Sequence, residues 1–394
     1  MQGKKFLHSI RLKNLLSYGS QGTTLELEPL NVLIGPNASG KSNLIEAISL
    51  LAATPSDLQK PIREGGGVVE WIWKGSEHKG SAEIGVSLEY GPRDPVLMAY
   101  SLDFEETNHR LQVRSETLAG VANPEPFFYI HDGLRIRLPR YPQGLYATVA
   151  PELKWSDLNR GQSIFSQVRD PSIYPQLTFT GEQFGRIRLF RDWAFGRRTP
   201  ARQPQRVDLP DDFLREEGDN LGLVINKLKN HPPTKRLLLE KLKLFLEDIE
   251  DIETPVQGGT IQVFLHERGD RTIPAVRLSD GTLHYLCLLA ILCHPEPPPL
   301  ICLEEPELGM HPDIIPKIAE LLVEAAQRTQ LIVTTHSDAL VSALSDIPEA
   351  IVVCERDDDG TTLRRLEKEK LAEWLERYQL GELWSMGEIG GNRW

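Results

Sequence analysis

The stretch "LNVLIGPNASGKSNLIEAISLL", Leu30 to Leu51, decides how the rest of the chain is read. An apolar run ends at Gly35, and "GPNASGKS", Gly35 to Ser42, satisfies G-x-x-x-x-G-K-[ST] at every fixed position. Behind it, Leu44, Ile45, Ile48 and Leu51 recur at helical spacing and form one apolar face. A strand, a glycine-rich turn and a helix in that order make a phosphate cradle. The glycines permit a turn whose N–H groups point inward at phosphate oxygens, and the helix N-terminus adds the positive end of its dipole. The pattern places Gly35, Pro36, Asn37, Ala38, Ser39, Gly40, Lys41, Ser42 and Asn43 around a nucleoside triphosphate. Lys41 would reach the outer phosphates, and the Ser42 hydroxyl would bind Mg²⁺. No N-K-x-D element that would read guanine follows, so ATP is the expected nucleotide.

The chain around this motif has 394 residues, 40% of them hydrophobic, and a net charge of −12. That length exceeds one small domain. The acidic balance argues against a generally basic nucleic-acid-coating protein but leaves room for a local basic groove. No run of about 18 apolar residues occurs, so no transmembrane helix and no membrane partner are expected. The N-terminal "MQGKKFLHSIRLKN" lacks the apolar core and cleavage site of a signal peptide. Cys287, Cys293, Cys302 and Cys354 sit in apolar segments without CxxC spacing, as reduced thiols in a cytoplasmic protein would.

Periodicity divides the chain into four stretches. Residues 1–150 hold the phosphate motif and then short alternating runs such as "AEIGVSLEY", "VLMAYSLDFE", "RLQVRSET" and "LRIRL", which predict an antiparallel β lobe. Residues 151–260 change character and read as a mainly helical insertion. Its strongest piece is "TKRLLLEKLKLFLEDIEDI", with a stripe of Leu237, Leu238, Leu242, Phe245, Leu246 and Ile249. Residues 261–355 alternate strand and helix signals again: "IQVFLHE", "LHYLCLLAILC", "PLICLEE", "IIPKIAELLVEAA", "QLIVTTHS" and "AIVVCERDDDG". Continuous apolar strands of this kind belong to a parallel sheet covered on both faces. Residues 356–394 predict a C-terminal amphipathic helix, "LEKEKLAEWLERYQLGELW", and a glycine-rich tail.

Three later elements say which kind of P-loop protein this is. Ser279-Asp280-Gly281-Thr282 opens an apolar helix, which alone would be a helix cap. "LICLEE" ends an apolar strand in Glu304 and Glu305, and "LIVTTHS" ends another in His336. Adjacent acids at a buried strand end are costly unless a cation compensates them. The order P-loop, SDGT, EE, His resembles that of ABC-type ATPases. The motifs "GPNASGKS", "LSDGT", "EEPELGMHP" and "THS" are similar to those of the SMC/RecF/OLD-like group, the compact AAA_21 type. The resemblance covers residues 1–60 and 270–355 well, and the middle only by general layout. It implies an α/β fold: a P-loop NTPase head of ABC/SMC type, with a mixed sheet, an antiparallel β lobe and a helical insertion.

The resemblance also implies roles. Glu304 stands where such ATPases usually carry the aspartate that holds Mg²⁺ through water, and Glu305 stands at the base that orients or deprotonates the attacking water. His336 resembles the switch histidine that senses the γ-phosphate. Ser279 and Gly281 resemble the signature that contacts ATP on an opposite protomer, which implies a homodimer of ATP-sandwiched heads. The function implied is a soluble ATPase acting with DNA and a separate nuclease or Toprim-type effector, in repair or phage defence. The alternative is the nucleotide-binding subunit of a membrane transporter, against which stand LSDGT in place of LSGGQ and the long insertion.

Some features stay open at this level. Arg63 lies where SMC-type heads place an active-site arginine, but it also reads as a surface arginine. A Q-loop glutamine could be Gln162, Gln167 or Gln183. "RIRLFRDWAFGRRTPARQPQR" sets seven arginines, Arg186, Arg188, Arg191, Arg197, Arg198, Arg202 and Arg206, against Asp192, with Phe190, Trp193 and Phe195 interleaved. It reads either as a nucleic-acid contact or as a structural or partner-facing basic face. "CERDDDGTT" superficially resembles a Toprim acidic cluster. However, D-G is a hairpin signal and too little chain follows for a Toprim domain, so no nuclease is expected on this chain.

Overall fold

The computed structural model describes residues 3–75, 80–91, 96–121, 127–132, 135–139, 158–193 and 196–391. The expected boundary at residue 150, Phe195 and part of "LRIRL" lie outside them. Two sheets organise these residues. A six-stranded sheet runs Gly360–Arg365, Ile351–Asp357, Leu30–Ile34, Gln330–Thr334, Leu300–Glu304, Arg188–Phe190, and only its first pair is antiparallel. The P-loop strand Leu30–Ile34 is central, and successive residues of it face opposite sides. Leu30, Val32 and Ile34 join one core with the helices Asp280–Leu292 and Ile315–Ala325, whereas Leu33 joins a second core with the P-loop helix Lys41–Ala53. The three central strands, Leu30–Ile34, Gln330–Thr334 and Leu300–Glu304, are mostly apolar because both faces are covered.

The expected β lobe is a seven-stranded antiparallel sheet that includes Leu7–Lys13, Ala82–Tyr90, Val96–Thr107 and Arg110–Gly120. Buried Gln330 joins the two sheets. Its amide oxygen accepts from Leu7 N at 2.9 Å, and its amide nitrogen donates to Leu7 O at 2.8 Å. No helix among the described residues is long and apolar enough to cross a membrane.

Four local expectations need correction. The run Thr234 to Ile252 is not one helix: Pro232–Lys243 is helical, but Ile249–Glu253 is a strand paired with Phe264–Glu267. The two isoleucines are three apart, and a register shift between Ile249 and Asp251 lets both be buried, so tertiary pairing overrides the helical stripe. "IQVFLHE" enters small antiparallel sheets rather than the parallel one. The C-terminal helix is two, Lys368–Leu375 and Leu380–Met386, and the second begins at a Gln379–Glu382 capping box. Arg188–Phe190, within the stretch read as an insertion, is the edge strand of the parallel sheet.

Candidate functional site

Parallel register brings the sequence motifs to one edge. Thr334 lies beside Leu33, and Glu304 lies beside Thr334. The P-loop, the two glutamates and His336 therefore all leave the carboxyl ends of neighbouring strands, where ligands bind in open α/β sheets.

The phosphate cradle is braced from behind. Gly40 has φ 103°, and a Cβ there would sit 2.8 Å from Thr361 Cγ2, so glycine is required for both conformation and space. Tyr18 OH donates to Gly40 O at 3.1 Å, and the Thr361 hydroxyl lies 2.9 Å from Ser39 O. Thr361 belongs to the "DDDG" hairpin, which forms as the D-G signal predicts and supports the P-loop. Lys41 is buried, and its Nζ donates to Gly35 O at 2.7 Å and Pro36 O at 2.8 Å. Burial lowers its pKa, against the nearby Cys354 and Glu305, which act to raise it. The loop therefore holds a buried cation against two of its own carbonyls.

Glu304 faces this cradle. Burial raises its pKa, and the Ser42 hydroxyl and Arg191 act against that rise. Its Oε1 is buried without a hydrogen-bond partner among the described residues, a costly state for a carboxylate. Ser42 and Glu304, one hydroxyl and one acceptor lacking a partner, fit a Mg²⁺ whose remaining ligands are waters and phosphate oxygens. No cluster of three or more His, Cys, Asp or Glu side chains able to hold a metal occurs among the described residues. Glu305 has φ 44°, rare for a residue with a side chain. Its N–H donates to Thr334 O at 3.0 Å, which fixes that conformation, and its Oε1 lies 3.8 Å from His336 Nε2.

The signature stands apart. Ser279 caps the helix Asp280–Leu292 by accepting from Thr282 N, and Gly281 packs near Gly309 O. Neither residue shares a hydrogen bond or ion pair with the P-loop among the described contacts, so the structure does not bring them into this chain's own cradle.

Several other placements depart from expectation. Gln162 bonds Leu58 N and Asp57, Gln167 bonds around Asn159, and Gln183 lines a separate cavity with Arg169 and Arg186. At the end of the edge strand stand Arg191 and Asp192 instead, lining a polar cavity of about 460 Å³ with Ser42, Glu46 and Glu304. Arg63 is an exposed partner of Asp57, as its surface reading expects. The basic segment divides. Arg202 is buried, pairs with Asp280 and donates to Ala275 O at 3.3 Å, and Arg206 pairs with Asp208. Trp193 Nε1 donates to Glu304 O at 2.6 Å, and its ring lies 4.3 Å from that of His284. Only Arg197 and Arg198 remain as an adjacent exposed pair. Sequence reasoning named Arg191 and Asp192 only as part of the basic segment and missed Glu307, for which the third acid of "EEPE" was the one available signal.

The central P-loop strand, the acids on the strand two places over and the histidine between them define a P-loop nucleoside triphosphatase fold. A family profile matches residues 30–342, and the chain belongs to that family, AAA_21, described as "AAA domain, putative AbiEii toxin, Type IV TA system". Among curated relatives, it is 40% identical over 95 residues to the DNA replication and repair protein RecF of Exiguobacterium sp., covering 22% of this chain and 24% of that protein. It is 40% identical over 75 residues to the Old nuclease of Escherichia phage P2, covering 19% and 12%. Over 58 residues it is 43% identical to structural maintenance of chromosomes protein 1 of Caenorhabditis elegans, covering 14% and 5%. The matches thus span a quarter or less of each relative. Among solved structures, an Smc head bound to the C-winged helix domain of ScpA superposes with TM-score 0.60 at 15% identity, over 93% of this chain and 99% of that one. An Smc head with extended coiled coil, bound to the C-terminal domain of ScpA from Pyrococcus furiosus, gives 0.58 at 15%, over 94% and 98%. The chain is an SMC/RecF/OLD-like ATPase family member with an SMC-head fold.

Proposed function

We propose that this chain binds ATP with Mg²⁺ in the Gly35–Ser42 cradle and hydrolyses it, using Glu305 as base and His336 as γ-phosphate sensor. The observation that carries the reading is the convergence of Lys41, Ser42, Glu304, Glu305 and His336 at one sheet edge. When bound, Mg²⁺ would neutralise phosphate charge and polarise the phosphoryl group. Ser42 and Glu304 would hold it. Lys41 would exchange its two carbonyl partners for phosphate oxygens. Glu305, held by Thr334 O, would accept a proton from water, and the nearby His336 would donate to phosphate.

The resemblance of Ser279 and Gly281 to the signature of ABC-type ATPases supports a homodimer in which they face the nucleotide of a second copy. Resemblance to RecF and to an Old nuclease supports action with DNA and a separate effector, in repair or defence, with exposed Arg197 and Arg198 the basic pair left for phosphate contact. Relatives and structural neighbours of SMC, RecF and Old type leave the transporter-subunit alternative without support. The test is Lys41→Ala: the folded variant should lose ATP binding or phosphate release, and normal turnover would remove the P-loop assignment.

A further inference from the structure

We propose that Glu307 is a positioning residue that fastens the His336 loop to the turn carrying Glu305, and so sets the distance between the two. This rests on the ATPase reading and deepens it.

The observations concern a carboxylate that the fold alone does not require. Glu307 Oε1 receives two donors from the neighbouring strand's exit: the Thr335 hydroxyl and the His336 backbone N–H, the latter at 3.1 Å. Thr335 is fully buried, and its Oγ1 in turn accepts from Ser337 N at 3.0 Å. Ser337 caps the helix Asp338–Ser342. One carboxylate oxygen thus anchors the segment that aims His336 and starts the next helix. On its other side, Glu307 is tied to the base. Leu308 N donates to Glu305 O at 2.9 Å, and Met310 N donates to Glu307 O at 3.0 Å, so Glu305 and Glu307 share one tight turn.

The arrangement is costly. Glu307 Oε2 is buried with no hydrogen-bond partner among the described residues. A buried carboxylate with one bare oxygen is disfavoured unless its charge-assisted bonds serve a purpose. A backbone N–H held by a carboxylate is a shorter, stronger tether than one held by a neutral acceptor. The structure therefore places a buried carboxyl group on the backbone of His336, whose ring lies 3.8 Å from Glu305. Displacing that ring by about 1 Å would cost roughly 100-fold in a step that needs both groups aligned.

The test is a double-mutant cycle on ATP turnover with hydrogen exchange alongside it. Glu307→Ala should lower kcat by about 10- to 100-fold while the ATP dissociation constant stays within about twofold. Glu307→Gln, which keeps one acceptor, should retain activity within about fivefold. In a His336→Ala background, Glu307→Ala should add less than about threefold, because the residue acts through His336. Equal losses in both backgrounds would overturn the proposal. A loss that appears in the ATP dissociation constant and not in kcat would do the same. Hydrogen exchange of the His336 amide needs no turnover: Glu307→Ala should speed it by about tenfold or more. An unchanged exchange rate would overturn the tether even if the chain hydrolyses no ATP, whereas faster exchange without any wild-type turnover would count against the ATPase reading alone. Should Glu307→Ala fail to fold, Thr335→Val removes the hydroxyl donor to the same oxygen. The same non-additivity with His336→Ala is expected of it, and additive behaviour would sink the tether.

Discussion

Glu304 and Glu305 are adjacent in sequence and differ in everything that decides their chemistry. Glu304 continues the strand, is desolvated and leaves one oxygen without a hydrogen-bond partner beside Ser42. Glu305 is bent out of the strand at φ 44° and faces His336. Opposite effects of the same substitution follow. Glu304→Gln should raise the Mg²⁺ concentration needed for half-maximal turnover by on the order of tenfold, since it removes charge next to the metal. Glu305→Gln should leave ATP and Mg²⁺ binding intact and slow phosphate release by about 10²–10⁴-fold, because an amide accepts no proton. Equal Mg²⁺ requirements in the two variants would show that the roles are not divided in this way. His284 offers a separate check on burial. Its pKa is lowered to about 4, first by desolvation, with the bond to Leu308 O acting the other way. The unfolded histidine titrates near 6.5, so between about pH 6.5 and 4 the unfolded chain takes up a proton that the folded chain refuses. Its contribution is therefore whole above pH 6.5 and is lost as pH falls toward 4, by about 3 kcal/mol at most. Glu116 and Glu307, raised by burial, act in the opposite sense. The measurement is thus the difference between wild type and His284→Phe in urea midpoints at pH 7 and 4.5. The variant should show the shallower acid loss, and parallel curves would mean that the ring is not desolvated.

The elements that build the site owe their placement to contacts of very different sequence range. The signature helix Asp280–Leu292 is apolar on almost every side and buried accordingly. Its polar start is anchored by Arg202, a buried guanidinium that donates to Ala275 O and Leu278 O and pairs with Asp280. Arg202→Ala should cost about 2–3 kcal/mol by leaving those carbonyls unsatisfied, and should weaken any function of Ser279 with it. An unchanged melting temperature would contradict that tether. Arg202 also shows where sequence reading stops. Composition made it one of seven arginines facing solvent or nucleic acid, and only the tertiary approach of residues 275–280 makes it internal. The P-loop, the buried strands and the "DDDG" hairpin were legible because each is written in a local pattern: fixed glycines, a continuous apolar run, a turn dipeptide. The end of the "TKRLLLEKLKLFLEDIEDI" run was not, because its strand exists only by pairing with Phe264–Glu267. Arg191 and Asp192 were equally hidden, since their position matters through an edge strand of only three residues. No periodicity marks so short a strand.

At the scale of the whole molecule, the signature is fixed by contacts away from the P-loop. Ser279 and Gly281 head a buried helix that packs against the "ELGMHP" turn, with His284 bonded to Leu308 O at 3.1 Å and its ring tilted against that of Trp193. Trp193 in turn donates to Glu304 O. The helix is thus connected to the strand that ends in Glu304, while Ser279 and Gly281 share no described hydrogen bond or ion pair with the P-loop. On the proposed reading, a second copy would face this end. ATP would then be held between the cradle of one and the Ser279 end of the other, where a helix N-terminus favours negative charge. Nucleotide that is bound but not cleaved should stabilise this pair. Glu305→Gln should therefore double in mass in solution when ATP and Mg²⁺ are added. Adding Ser279→Arg should return it to the monomer mass, because a long cation would occupy the place where the partner's phosphate must dock. The nucleotide dissociation constant of the double variant should stay within about threefold of that of a monomeric cradle, since affinity gained from a partner is lost while the P-loop is untouched. A Glu305→Gln protein that binds ATP, fails to cleave it and keeps one mass throughout would leave Ser279 as a helix cap and the chain as an ATPase that acts alone.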